Sequence, residues 1–179
     1  ETVFAAEDLE AYHNLSKEPK YRTGFDRNLW IWEEKKPENT YLIAADVARG
    51  DGKDYSVCHV FKLETMEIVA EYQGKCTPDI FSRVLYDIGQ EYGNGLLVVE
   101  NNSVGFAVLD KLKEMQYPNL YHSVKSTHEF VEEYQADQMS NAVPGFSMTS
   151  KTRPLIVAKL EEFIRNNLIK IYSPRLLNE

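Results

Sequence analysis

One stretch does most to limit the folds open to this chain: Tyr41 to Val60, which reads Y-L-I-A-A-D-V-A-R-G-D-G-K-D-Y-S-V-C-H-V. Tyr41 to Ala45 is too short for an ordinary helix and too apolar for a strand with one wet face. It reads as a central strand buried on both sides, closed by Asp46. Val47 to Lys53 contains Gly50, Asp51 and Gly52, which form turns, and Ser56 to Lys62 resumes as a strand, so the pair is a hairpin. Neighbouring strands lie about 4.8 Å apart, which lets Asp46 and Asp54 approach each other at the hairpin mouth. Two close carboxylates repel unless a cation lies between them or one takes up a proton. A divalent metal is therefore the first expectation.

The order of elements beyond the hairpin extends the sheet. Ile68 to Tyr72 gives a third strand, joined by a turn over Glu64 to Glu67. Thr77 and Pro78 open a helix with Ile80, Phe81, Val84, Leu85 and Ile88 at helical spacing. Leu96 to Val99 is another buried strand and ends in Glu100. A helix over about Val104 to Met115 follows, then a fifth strand over Leu120 to Val124. Lys125 to Thr149 lacks a sustained period and reads as a long loop or an inserted ribbon. Ser150 to Leu168 predicts a helix with a stripe of Leu155, Ile156, Leu160, Phe163, Ile164 and Leu168, and Ile169 to Tyr172 adds a short strand. Short turns join antiparallel neighbours and helical crossovers join parallel ones. The expected fold is α/β: a mixed sheet, three antiparallel strands then parallel strands, flanked by helices.

Ahead of the hairpin, residues 1–37 read as a linker lying against the larger body. Its Trp30-Ile31-Trp32 is either a docking strip or a strand packed on the chain's own core. At 179 residues with 43% hydrophobic content the chain suits one globular domain. No apolar run nears the roughly 18 residues that span a bilayer, and Glu1 to Glu10 lacks a signal-peptide pattern, so a soluble, intracellular protein is expected. Cys58 and Cys76 are too far apart for a C-x-x-C pair and read as buried thiols. Net charge is −8, and 19 of the 28 acidic residues but only 11 of the 20 basic ones lie at or before Glu100. An acidic front half beside a charge-balanced back half is compatible with a polyanion held through metal ions and a few Lys and Arg residues.

Three carboxylates fall where this topology can gather them: Asp46, Asp54 and Glu100. With the fourth strand parallel to the first, Asp46 and Glu100 leave the sheet at one carboxyl edge, where ligands collect in such sheets. Carboxylates are the hard oxygen donors that Mg²⁺ or Mn²⁺ prefers, and two such ions about 3.5–4 Å apart serve phosphodiester hydrolysis. The competing reading is that these acids only form turns or caps. Lys151, Arg153, Lys159 and Arg165 are candidate phosphate contacts or a solvated helix face. Lys125 and His128 are candidates for a DNA-guiding flap, whereas His13, His59 and His122 show no ligand spacing.

Four motifs occur in order: Ala44-Ala45-Asp46 with Gly50 and Asp54-Tyr55-Ser56; Val98-Val99-Glu100-Asn101-Asn102 with Gly105; Ser150-Lys151-Thr152-Arg153-Pro154; and Ser173-Pro174-Arg175-Leu176-Leu177-Asn178-Glu179. Together they resemble the nuclease domain of the large terminase subunit, the DNA-packaging motor of tailed double-stranded-DNA phages, from about Tyr41 onward. The resemblance implies an RNase H-like fold and a metal-dependent endonuclease that cuts concatemeric double-stranded DNA with low sequence preference. It implies two Mg²⁺ or Mn²⁺ ions, Asp46 and Glu100 as metal-binding catalytic acids, and Asp54 as an accessory ligand. It further implies that residues 1–37 are a linker after an ATPase domain and 38–179 the nuclease domain. The portal protein and the small terminase subunit would be partners in the host cell cytoplasm. The family carries another Asp in a helix beyond the Leu-Leu-Asn-Glu segment, which makes a domain shortened at its C-terminus the expectation here. The chain has no G-x-x-x-x-G-K-[ST] phosphate loop of its own. Rival readings are a resolvase- or transposase-like nuclease of the same fold, a catalytically incomplete DNA-guiding or docking module, and, last, an actin-like ATPase.

Overall fold

The computed structural model describes residues 3–124, 130–131 and 141–179. Its elements are α1 (Ala6–Leu15), β1 (Tyr21–Thr23), β2 (Leu29–Ile31), β3 (Tyr41–Asp46), β4 (Ser56–Lys62), β5 (Glu67–Gly74), α2 (Pro78–Glu91), β6 (Leu96–Val99), α3 (Gly105–Glu114), β7 (His122–Val124), β8 (Phe130–Val131), β9 (Ala142–Pro144), α4 (Thr152–Arg165) and α5 (Pro174–Leu177). Six strands form one sheet in the order β1-β2-β5-β4-β3-β6. Every neighbour pair is antiparallel except β3 and β6, which run parallel because α2 crosses over between β5 and β6. Among the described residues no helix is long and apolar enough to cross a membrane.

The period of two along the strands divides the sheet into two cores. On one face Ile43, Ala45, Cys58, Val60, Ala70 and Tyr72 pack against Phe81, Leu85 and Ile88 of α2 and Val108, Leu109 and Leu112 of α3. On the other, Phe61 and Ile68 meet Tyr12, Phe163, Ile164, Ile169, Ile171, Leu176 and Leu177 from α1, α4, α5 and the segment between the last two. The sheet is thus buried on both faces, as the apolar run at Tyr41 requires. Burial pushes the Cys58 thiol up to about 12, so it stays protonated and inert, while Cys76 is only half-buried and lies 3.6 Å from the Tyr72 hydroxyl.

Two segments differ from the sequence reading, and the front section takes the strand alternative given for Trp30-Ile31-Trp32. The front section is built into the body: β2 pairs with β5, β1 extends it, and the Tyr12 hydroxyl of α1 donates to the Ile169 carbonyl at 2.6 Å. Trp30 lies in the sheet, with Arg22 at 4.2 Å on its ring and Arg175 at 3.7 Å. The expected fifth strand splits. Leu120 bridges Leu97 in parallel, and β7 then leaves to form a separate three-stranded ribbon with β8 and β9. The strand expected over Ile169 to Tyr172 shrinks to one bridge between Lys170 and Glu67. Along α4 only Ile164 is buried; Leu155 is 71% exposed and Leu160 39%. The amphipathic stripe is present, but only its carboxyl end reaches the sheet.

A buried charge pins the carboxyl end of the chain to this second face. Glu71 on β5, 2% exposed, accepts hydrogen bonds from Ser173 Oγ at 2.9 Å and Arg175 Nε at 2.6 Å, and its other oxygen is 2.9 Å from His59 Nε2. Burial alone would raise the Glu71 carboxyl, but the hydrogen bonds and charges of His59, Ser173 and Arg175 outweigh it and hold it below the ordinary glutamate range. A carboxyl depressed by folding contributes stability above its unfolded value and loses it as pH falls through the folded one. Glu71→Gln should therefore destabilise the chain at pH 7 by roughly 3 kcal/mol, the scale for orphaning a buried charged partner. In urea unfolding the gap from wild type should close as pH drops below the ordinary carboxylate range; a gap that is constant with pH would show that the charge of Glu71 is immaterial.

Candidate active site

The parallel pairing of β3 with β6 brings the two main candidate acids together. Ala45 is in register with Val99, and the Glu100 amide donates to the Ala45 carbonyl at 3.2 Å. One residue on, Asp46 and Glu100 leave the carboxyl edge side by side, on the same face as α4 and α5, since paired Ala44 and Val98 point that way two residues earlier. Asp46 is exposed and Glu100 half-buried. Burial and then the negative charge of Asp46 raise the Glu100 carboxyl above its ordinary value, and the positive charge of Arg153 opposes them. A carboxyl raised by a neighbouring carboxylate marks a place where a cation is favoured.

The segment after β6 assigns a separate task to each of its polar residues. Glu100 faces the site. Asn101, 8% exposed, turns inward: its Nδ2 donates to the Pro144 carbonyl at 3.0 Å and its Oδ1 accepts from Ser147 Oγ at 2.9 Å. Asn102 caps α3, its Oδ1 accepting from the amides of Val104 at 3.2 Å and Gly105 at 2.8 Å. A Cβ at residue 105 would collide with the Glu100 carbonyl oxygen, so glycine is what lets α3 start against the backbone of the acid.

Asp54 is not brought to this pair. The last residues paired across the hairpin are Asp46 and Val57, and the loop over 47–55 leaves the sheet beyond them. Ser56 closes the loop by accepting from the Ala48 amide at 3.0 Å, and Gly50, at φ +84°, lies against the Cys76 carbonyl. Asp54 instead lines a pocket of about 240 Å³ with residues of its own loop and Val104. Among the described residues no three His, Cys, Asp or Glu side chains gather as a metal group. Asp46 and Glu100 suit a hard cation by charge and donor type, as two ligands rather than a full set.

Of the basic candidates, Arg153 lies where its charge acts on Glu100, and Lys151 is exposed just before it. Lys159 is paired with Glu162 at 2.9 Å and Arg165 with Glu161 at 3.3 Å, so both are tied down on their own helix surface. Lys125 and His128 lie outside the described residues. Sequence reasoning places Asn101 in a motif without giving it a task and does not single out Ser147; the one available signal is a second polar residue directly after the acid that closes a buried strand.

No protein-family model matches the sequence, and no curated protein matches it. Solved structures do. The large terminase nuclease from thermophilic phage G20c with bound magnesium superposes with a TM-score of 0.69 at 19% identity, covering 98% of this chain and 77% of that one. The zinc-bound form of the G20c nuclease gives 0.70 at 19%, covering 100% and 86%. The large terminase nuclease domain of Thermus phage P74-26 gives 0.64 at 17%, covering 96% and 75%. At these identities the likeness establishes architecture, and the architecture agrees with the strand order and the flanking helices described above. This chain has the RNase H-like fold of phage large terminase nuclease domains.

Proposed function

We propose that this chain is the metal-dependent endonuclease domain of a viral DNA-packaging terminase, cleaving concatemeric double-stranded DNA with low sequence specificity. The observation that carries the reading is the pair Asp46 and Glu100, adjacent on parallel strands at the carboxyl edge of a sheet shared with terminase nucleases. Asp46 and Glu100 would hold Mg²⁺ or Mn²⁺; related folds solved with bound magnesium, cobalt and zinc support the use of a divalent ion. Two such ions, held there, would supply positive charge to a phosphodiester and to its leaving oxygen. The chain's own residues hold and orient. Glu100 is half-buried and so held by its surroundings, and exposed Arg153 with Lys151 offers positive charge to a phosphate from the start of α4. Contacts of that kind position a duplex without reading its bases, hence the low specificity. By the same reading, residues 1–37 follow an ATPase domain in one polypeptide that works with the portal protein and the small terminase subunit in the host cell cytoplasm.

A second reading has one observation in its favour. Only two carboxylates gather at the site among the described residues, which suits a DNA-guiding or docking module without turnover. Supercoiled plasmid incubated with Mn²⁺, Mg²⁺ or EDTA separates the two. Nicking and linearisation in Mn²⁺ that EDTA stops supports the nuclease; salt-dependent binding without cleavage in any metal leaves the docking module.

Asp46→Ala and Glu100→Ala should each reduce cleavage by roughly 100-fold or more, the scale for losing a charge-stabilising group at a reacting centre, with far-UV circular dichroism unchanged. Cleavage at wild-type rates in either variant would sink the proposal. Gly105→Ala should reduce cleavage and lower the melting temperature together, because the added methyl has to displace the Glu100 backbone. Asp54→Ala should keep most of the activity; a loss as large as that of Asp46→Ala would place Asp54 among the ligands after all.

A further inference from the structure

We infer that Asn101 is a positioning residue for the DNA contact of Arg153, bracing the segment that carries Arg153 against the strand that carries Glu100. The inference rests on the nuclease reading above, because DNA is the ligand it concerns.

The connection can be followed bond by bond. The Asn101 amide donates to the Phe146 carbonyl at 2.9 Å and the Phe146 amide to the Val99 carbonyl at 2.8 Å, which lays residues 144–147 along the end of β6. The Asn101 side chain then fixes that segment at both ends, through the Pro144 carbonyl and the Ser147 hydroxyl. From Ser147 the path enters α4. The Ser147 carbonyl accepts from Thr152 Oγ1 at 3.4 Å. Thr149 and Thr152 bond reciprocally: the Thr149 amide donates to Thr152 Oγ1 at 2.8 Å and the Thr152 amide to Thr149 Oγ1 at 3.1 Å. This is the pattern of a capping box, which sets the direction in which a helix starts. The Arg153 amide donates to the Thr149 carbonyl at 2.9 Å.

An unbroken path of hydrogen bonds and short stretches of backbone therefore runs from the residue after Glu100 to Arg153 at the start of α4. An apolar residue at position 101 could fill the same volume. It would leave the register to the backbone bonds at Phe146 and release the Pro144 carbonyl and the Ser147 hydroxyl, so the base of α4 would lose its side-chain anchor. The side-chain amide thus does more than pack: it ties the segment that leads into α4 to the residue next to Glu100.

The experiment measures affinity for a fluorescent DNA duplex in EDTA across a salt series, so it depends neither on cleavage nor on a bound metal. Arg153→Gln should reduce the slope of log affinity against log salt by about one, the value for one lost phosphate contact. Asn101→Ala and Ser147→Ala should each lose most of that same increment, and Asn101→Ala combined with Arg153→Gln should fall no further than Arg153→Gln alone. Ser147→Thr, which retains the hydroxyl, should keep the wild-type slope. The inference is overturned if Arg153→Gln leaves the slope unchanged, if Asn101→Ala keeps the full slope while Arg153→Gln loses it, or if the two losses add. Should Asn101→Ala fail to fold by thermal melting, the Ser147→Ala and Ser147→Thr pair decides by the same criterion. A wild-type chain that cuts DNA in Mn²⁺ while the losses add overturns only the positioning role; a wild-type chain that neither binds nor cuts DNA overturns both.

Discussion

The bond from the Glu100 amide to the Ala45 carbonyl is the constraint on which the site depends. It exists only because β3 and β6 run parallel, and they run parallel only because α2 carries the chain back across the sheet. A shift of β6 by one residue would turn Glu100 to the opposite face, since side chains alternate with a period of two. Register is thus guarded by the apolar residues of both strands. Ile43, Ala45, Leu97 and Val99 belong to the same core as α2 and α3, and a slip of β6 would take Leu97 and Val99 out of it.

The opposite face carries a different kind of constraint. Glu71 is charged and nearly inaccessible, and its partners His59, Ser173 and Arg175 come from β4 and from a segment about a hundred residues later. Apolar contacts on this face are spread over short pieces, α1, α5 and the end of α4, none of which could fix its own position by packing alone. A bonded charge supplies direction that apolar contact lacks. It places the Ser173 to Leu177 turn on the sheet face toward which Asp46 and Glu100 point.

What was legible in the sequence follows from range. The hairpin over Tyr41 to Lys62 could be read because its apolar runs and its glycine turn are contiguous, and the adjacency of Asp46 and Glu100 followed from counting crossovers. The pairings of Lys159 and Arg165 were also within reach, because their partners Glu162 and Glu161 lie one helical turn away. Strands β1 and β2, three residues each, are too short to show alternation. Asp54 looked close because a hairpin mouth is narrow, but a nine-residue loop does not continue the strands. The Asn101 to Ser147 and Glu71 to Arg175 bonds join residues 46 and 104 positions apart, and no local pattern encodes such a meeting. The stripe on α4 was correctly periodic; periodicity states that a helix has an apolar face, not that anything covers it.

That uncovered stripe has a consequence for how the molecule behaves in bulk. Leu155, Ile156, Leu160 and Leu168 leave oily surface in contact with water on a chain whose net charge of −8 keeps its copies apart. Added salt therefore acts in two opposing directions: it loosens whatever is held by phosphate charge, and it screens the mutual repulsion that prevents the exposed leucines of different molecules from meeting. Colloidal stability is served by dilute buffer, and the protein's tendency to come out of solution should rise in the same salt that would weaken any grip on a polyanion.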